Sequence, residues 1–182
     1  RLHLASADYK LTRPNALSVE GWKGLVKGCE PQANGVHMGL STLLGTEMRW
    51  LEQHWPAGLP GGLIHADLFP DNVFFMEGRL SGLIDFYFAC NDAYAYDVAV
   101  CLNAWCFEPG GAFNITKGRA LLSTYRAVRP LLAAEVTALP VLARGAAFRF
   151  LLTRLYDWIN RDPSALVRPK DPLEYLTKLR FH

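Results

Sequence analysis

The stretch Pro56-Ala-Gly-Leu-Pro60-Gly-Gly62 is the heaviest punctuation in the chain. Proline lacks the amide proton that a helix needs, and glycine loses the most backbone freedom on ordering, so no helix runs through it. The residues on its two sides obey different periods. Before it, Val19, Trp22, Leu25 and Val26 recur at helical spacing and predict a helix from Ser18, its N-cap, to about Lys27. Val36, Leu40, Leu43, Leu44, Leu51 and Trp55 predict a longer helix over about 33–54, a pattern that Gly35, Gly39 and Gly45 weaken. Residues 1–14 form a lead-in in which Pro14 blocks an early helix.

After the break the period shortens. Leu63-Ile64 is a brief apolar piece that ends at a polar loop. Val73–Met76 and Leu80–Ile84 read as two short strands joined by Glu77-Gly78-Arg79. Helical patterns then cover about 94–107, 117–128, 135–160 and 172–179, with a loop over 108–114. Pro172 suits a first helical position and Asp171 a cap before it. The expected class is α+β, mostly α: a helical body with a small β-hairpin embedded in it, residues 1–182 forming one domain.

Composition narrows the function classes. A net charge of +2 gives no electrostatic case for nucleic acid or an anionic membrane. With 51% hydrophobic and 20% charged residues the chain is an ordinary globular sequence, and no apolar run reads as a span of roughly 20 residues. Arg1-Leu2-His3-Leu4-Ala5 has no signal-peptide core behind it and no initiator Met, so a piece of a longer protein is expected. Cys29, Cys90, Cys101 and Cys106 form no CxxC pair and read as buried free thiols of a reducing cytoplasm.

The chemistry concentrates in His65-Ala-Asp67-Leu-Phe-Pro-Asp71-Asn72 and Leu83-Ile84-Asp85-Phe86. Phosphoryl transfer from ATP needs an aspartate to take or orient the acceptor hydroxyl and oxygen ligands to hold magnesium against the phosphates. Protein kinases place that aspartate and a metal-binding asparagine five positions apart, with a second metal-binding aspartate after the next hairpin. Asp67 and Asn72 have that spacing, and Asp85 ends the second strand. Taken singly, Asp67 is an Asx-turn residue before Pro70, and Asn72 and Asp85 are turn formers at strand ends. A metallohydrolase built on His65, Asp67 and Asp85 lacks further histidines at useful spacing.

The pattern His65-x-Asp67-x-x-x-x-Asn72 followed by Ile84-Asp85-Phe86 resembles the aminoglycoside phosphotransferase and choline kinase-like family. Gly62 to Phe75, Gly82 to Asp92, Tyr96-Asp97-Val-Ala, Cys101 to Phe107, Leu151 to Trp158 and Asp171-Pro-Leu-Glu-Tyr-Leu resemble its bacterial homoserine kinase branch. The resemblance implies the C-terminal lobe of a protein kinase-like fold, whose hairpin carries the catalytic and metal-binding loops. It implies ATP and Mg2+ as cofactors, homoserine as acceptor, and an action on threonine biosynthesis. Asp67 becomes the catalytic base and Asn72 and Asp85 the metal ligands. His65 orients the loop and Asp97 braces it from the following helix, while Asp71 has no settled duty. The family's nucleotide lobe, with its phosphate-covering loop and strand lysine, has no match in Lys10, Lys23 or Lys27. This chain is therefore expected to lack that lobe and to self-associate through the face it leaves bare.

Other residues keep two readings. Asp97 lies among apolar Tyr96, Val98 and Ala99, which favours a buried hydrogen-bonding job over a solvated charge. Tyr87, Asp92 and Trp105 either line the acceptor pocket or serve packing, Asp92 as a cap. Arg149 and Arg154 either grip an amino-acid carboxylate or, for Arg154, pair with Asp157 at i, i+3. The rival acceptors are an aminoglycoside, choline and a thiosugar. The rival class is a kinase-like module that binds without catalysing.

Overall fold

The computed structural model describes residues 1–162, 164 and 169–182. In chain order the elements are α1 (Leu2–Ala5), α2 (Val19–Val36), α3 (Leu40–His54), β1 (Gly61–Ile64), β2 (Val73–Met76), β3 (Arg79–Leu83), β4 (Cys90–Ala93), α4 (Tyr94–Trp105), α5 (Ile115–Val128), α6 (Ala133–Ile159) and α7 (Leu173–Phe181). They form two compact units, Arg1–Asn15 with Pro56–Ala143 and Ala16–Trp55 with Arg144–His182; the chain of α6 passes from the first to the second.

In the first unit the strands make two antiparallel pairs rather than the single hairpin expected. β2 and β3 pair through the two-residue turn Glu77-Gly78, whose φ values of 50° and 73° suit the twist of a tight hairpin. β1 pairs with β4, Gly62 opposite Asp92 and Ile64 opposite Cys90. Local sequence hides this pair because its halves are four residues each and far apart. The glycines make it feasible. A Cβ on Gly61 would lie 2.7 Å from the Asp92 carbonyl oxygen, and one on Gly62 2.2 Å from the Tyr94 hydroxyl. The punctuation thus ends in a strand that side chains would block. Behind it α4 is buried on nearly every face, from Ala95 to Val100 and again at Leu102 and Asn103. Such all-round burial belongs to a central core helix.

In the second unit α2 runs on through Pro31, past the end expected at Lys27. Trp22, Val26, Cys29 and Ala33 lie on one buried face, and burying it outweighs the local cost of a proline and glycines. The break falls later, at Gly39, which takes a left-handed φ of 80°. Trp22 is fully buried, with the Trp55 ring edge-on at 5.0 Å and Phe148 at 5.9 Å. Gly145 admits this cluster, because a Cβ there would sit 2.1 Å from Trp55. Asp171 caps α7 through the Leu173 amide at 2.8 Å, one residue beyond the expected start.

α6 is long and apolar enough to cross a membrane, more so than the sequence reading allowed. About two thirds of that apolar stretch (67%) is buried in the protein, as in a core helix.

Candidate active site

The polar loop between β1 and β2 is built downward from Asp97. This carboxylate is buried in the first turn of α4 and accepts from the His65 amide at 3.2 Å and the Ala66 amide at 2.8 Å. His3 of α1 adds an Nε2 contact to the same Oδ2 at 3.0 Å. Charge-assisted bonds of this kind are about twice as strong as neutral ones. They hold Ala66 at φ 61°, a left-handed conformation that a side-chain-bearing residue adopts only when its surroundings impose it.

His65 is fully buried, and its Nε2 donates to the Ile84 carbonyl at 2.9 Å. With Nε2 carrying the proton, Nδ1 is a bare acceptor, and it has no partner among the described residues. The ring also packs against Phe86, 4.6 Å away. Ile84 in turn donates its amide to the Asn72 carbonyl at 3.1 Å. The loop and the end of the hairpin are therefore stitched together on both sides of Asp85.

Asn72 ends a single 3-10 turn, Pro70–Asn72, and is buried. Its Nδ2 donates to the Asp67 carbonyl at 2.8 Å and to Asp67 Oδ2 at 3.1 Å. That fixes the amide: the NH2 group faces Asp67, and the remaining atom is a carbonyl oxygen of the kind hard cations prefer. Asp67 is half-buried, whereas neighbouring Asp71 is exposed. Asp85 is exposed at φ 60° and ψ 60°, and no side-chain hydrogen bond caps the turn that follows it. Backbone strain and an ionisable group out in solvent coincide there, as they do where a ligand completes a site.

The other sequence-derived residues take varied places. The indole of Trp105 donates to the Leu68 carbonyl at 2.7 Å, so it ties the loop to α4. Asp92 lies in β4, where its oxygens accept from Asn15 at 2.6 Å and from the Ala93 amide at 2.7 Å. Tyr87 is 71% exposed; its carbonyl accepts from Arg13 at 2.6 Å. Arg149 and Arg154 belong to the second unit. Arg154 pairs with Glu174 at 2.6 Å and donates to the Asp171 carbonyl, not to Asp157 as local spacing suggested. Glu174 stands on α7, and only the fold brings it to α6. Arg149 is buried with its guanidinium 4.1 Å from the Phe150 ring centroid.

His3 and Tyr125 are the residues that sequence reading missed. His3 Nδ1 lies 2.9 Å from the Tyr125 hydroxyl. The two are 122 residues apart, so no local period reports them. Burial pushes the Tyr125 hydroxyl up against the opposing pull of Arg129. It likewise pushes up the Cys101 and Cys106 thiols, with Asp97 adding to the effect at Cys101. A cavity of about 700 Å³ adjoins this network, walled by the hairpin (Phe75, Leu80), α4 (Cys101, Trp105) and α5 (Leu121, Tyr125).

The sequence model of the phosphotransferase enzyme family (APH) matches residues 1–131. A homoserine kinase of Azorhizobium caulinodans is 67% identical over 182 residues, which is all of this chain and 57% of that protein. One of Sinorhizobium medicae is 65% identical over 181 residues, covering 56% of its length. One of Parvibaculum lavamentivorans is 64% identical over 182 residues, again 57% of its length. The chain thus spans a little more than half the length of these curated relatives.

Proposed function

Because this chain belongs to the phosphotransferase enzyme family, we propose that it carries the catalytic machinery of an ATP- and magnesium-dependent kinase acting on the hydroxyl of L-homoserine. The observation that carries the reaction type is the braced loop. Asp97 holds the backbone of His65 and Ala66, Asn72 holds Asp67, and Ile84 ties Asp85 to both. The acceptor rests on the homoserine kinases that are 64–67% identical across this chain.

In this reading Asp67 takes the proton of the attacking hydroxyl. The new bond joins that oxygen to the terminal phosphorus of ATP, the bond to the ADP oxygen breaks, and ADP leaves with those electrons. The Asn72 amide orients the base carboxylate through Oδ2. The donor set suits magnesium: the Asn72 carbonyl oxygen and the Asp85 carboxylate are hard oxygens, few enough to leave room for phosphates and water. When bound, the ion would neutralise charge on the phosphates. The Asp85 carboxylate is exposed, which leaves it open to such an ion.

The same reading takes residues 1–182 as a catalytic and acceptor-binding lobe. The nucleotide lobe is then assigned to the length that the relatives have beyond it. Four free cysteines, three of them buried, support the reducing cytoplasm as its compartment. Phe74, Phe75, Met76 and Leu80 of the hairpin are each more than half exposed, which supports self-association of the isolated chain. A mass by light scattering that stays monomeric at all concentrations would remove that last element.

The decisive assay follows ADP release by a protein of the relatives' full length that contains this chain. Homoserine should drive ADP release far above choline or an aminoglycoside, and Asp67→Asn should cut it by roughly 10²–10⁴-fold, the usual worth of a general base. No homoserine-dependent ADP would overturn the acceptor, and an unaffected Asp67→Asn would overturn the mechanism.

A further inference from the structure

We propose that His3 is a positioning residue for phosphoryl transfer, acting through Asp97 on the backbone that presents Asp67; the inference rests on the kinase reading above. Asp97 meets three donors: the amides of His65 and Ala66 and the imidazole of His3. Two of these, His65 N and His3 Nε2, share Oδ2, at 3.2 and 3.0 Å. The imidazole therefore decides how Oδ2 is placed for the loop amide.

The chain of bonds behind His3 fixes its direction. Arg129 can only donate, and its Nη1 reaches the Tyr125 oxygen at 3.4 Å while also pairing with buried Glu135 at 2.9 Å. The Tyr125 hydroxyl, which accepts from Arg129, also meets His3 Nδ1, 2.9 Å away. Asp97 as a carboxylate can only accept, so His3 Nε2 must carry a proton. The ring is thus held at both nitrogens, with Nε2 the donor to Asp97. The ring is clamped besides, 4.7 Å from Tyr94 and 5.8 Å from Tyr125, and is 7% exposed. Three helices thus meet at one imidazole: α1 supplies it, α4 receives it and α5 holds its other nitrogen, while Glu135 of α6 anchors Arg129.

Catalysis by positioning is sensitive to such a group, since a misplacement near 1 Å costs on the order of 100-fold in rate. Glutamine and asparagine separate the two ring nitrogens. The amide NH2 of His3→Gln reaches the place of Nε2 and can still donate to Asp97. That of His3→Asn reaches only the place of Nδ1.

The experiment uses the full-length protein labelled with [15N]histidine and [15N]alanine, so one sample reports the His3 ring and the His65 and Ala66 amides. Native protein should show a protonated Nε2 at His3. His3→Asn should speed hydrogen exchange of the His65 and Ala66 amides at least tenfold. It should also lower kcat roughly ten- to 100-fold, with KM for ATP and acceptor within about twofold. His3→Gln should restore most of both. If His3→Asn unfolds the protein, Tyr125→Phe retains His3 and loses only its hold at Nδ1, so it should speed exchange of the two amides and lower kcat by smaller factors. Unchanged amide exchange in His3→Asn, or equal kcat in the Asn and Gln variants, overturns the proposal. So does unchanged amide exchange in Tyr125→Phe. The exchange measurement needs no turnover, so a native protein inactive on every acceptor would overturn the kinase reading while leaving the brace standing.

Discussion

Two neighbouring segments, which the proposed reaction would bring to one substrate, are held in opposite ways. The loop from His65 to Asn72 is anchored at several points: buried Asp97 takes its amides, the Ile84 carbonyl takes His65, and Trp105 takes the Leu68 carbonyl. The segment at Asp85 is held by the Ile84 backbone and the Phe86 ring, and Asp85 itself is exposed at a left-handed φ, with no side-chain hydrogen bond capping the turn after it. The difference separates a group that must be in place before substrate arrives from one that a charged ligand completes. A base has to be aimed by the protein. A metal-binding carboxylate can be aimed by the metal.

The contrast can be tested through stability, in falling order of effect. Asp97→Ala strands three buried donors, each costing about 1–3 kcal/mol, so urea unfolding should show a loss of roughly 3–5 kcal/mol. The melting temperature should fall by about 10 °C. A loss below about 1 kcal/mol would mean that the loop does not hang from Asp97. Trp105→Phe keeps the apolar ring and removes one hydrogen bond, for a loss of about 1 kcal/mol. Asp85→Gly should leave stability level or raise it by up to about 1 kcal/mol, because glycine accepts φ 60° without strain. It should nonetheless abolish magnesium-dependent turnover; substantial unfolding in this variant would show that Asp85 is structural and erase the contrast. The smallest effect is one of pH. The Cys101 thiol is raised by burial and then by Asp97, so the native state favours its protonated form. Its contribution to stability is whole below the unfolded thiol value of about 8.5 and fades as pH rises beyond it. Cys101→Ser should flatten that alkaline decline in a melting series between pH 7 and 10, and an identical slope in both proteins would remove Cys101 as its source.

Much of this architecture could be read in the residues, for physical reasons that differ by element. α5 and α7 are amphipathic and local, so periodicity finds them within two residues. The hairpin declares itself through Glu77-Gly78, because few residues accept two positive φ values in a row. α2 was misjudged because tertiary burial of Trp22 and Cys29 overrides the proline that propensity reads as a stop. The β1–β4 pair was invisible since each strand is too short to show alternation. In the site, the apolar neighbours of Asp97 already foretold that its carboxylate would be buried and bonded. Nothing in them could name His3 as a partner, and of the partners that local spacing offers Arg154, Asp157 gives way to Glu174, which comes from another helix.

The long reach of the His3 contacts carries a consequence for how the molecule acquires its order. His3 precedes Asp97 by 94 residues and Tyr125 by 122, so both bonds close large loops of chain. Contacts of such sequence separation must wait for the intervening elements, since closure entropy is met before the bond rewards it. The helices and the hairpin can form on local information; the loop that bears Asp67 cannot be finished until α1 docks. The brace on the His65 and Ala66 backbone is thus expected to close late as the chain folds. Pulsed hydrogen exchange should find the amides of His65 and Ala66 protected later than those of α4 beneath them.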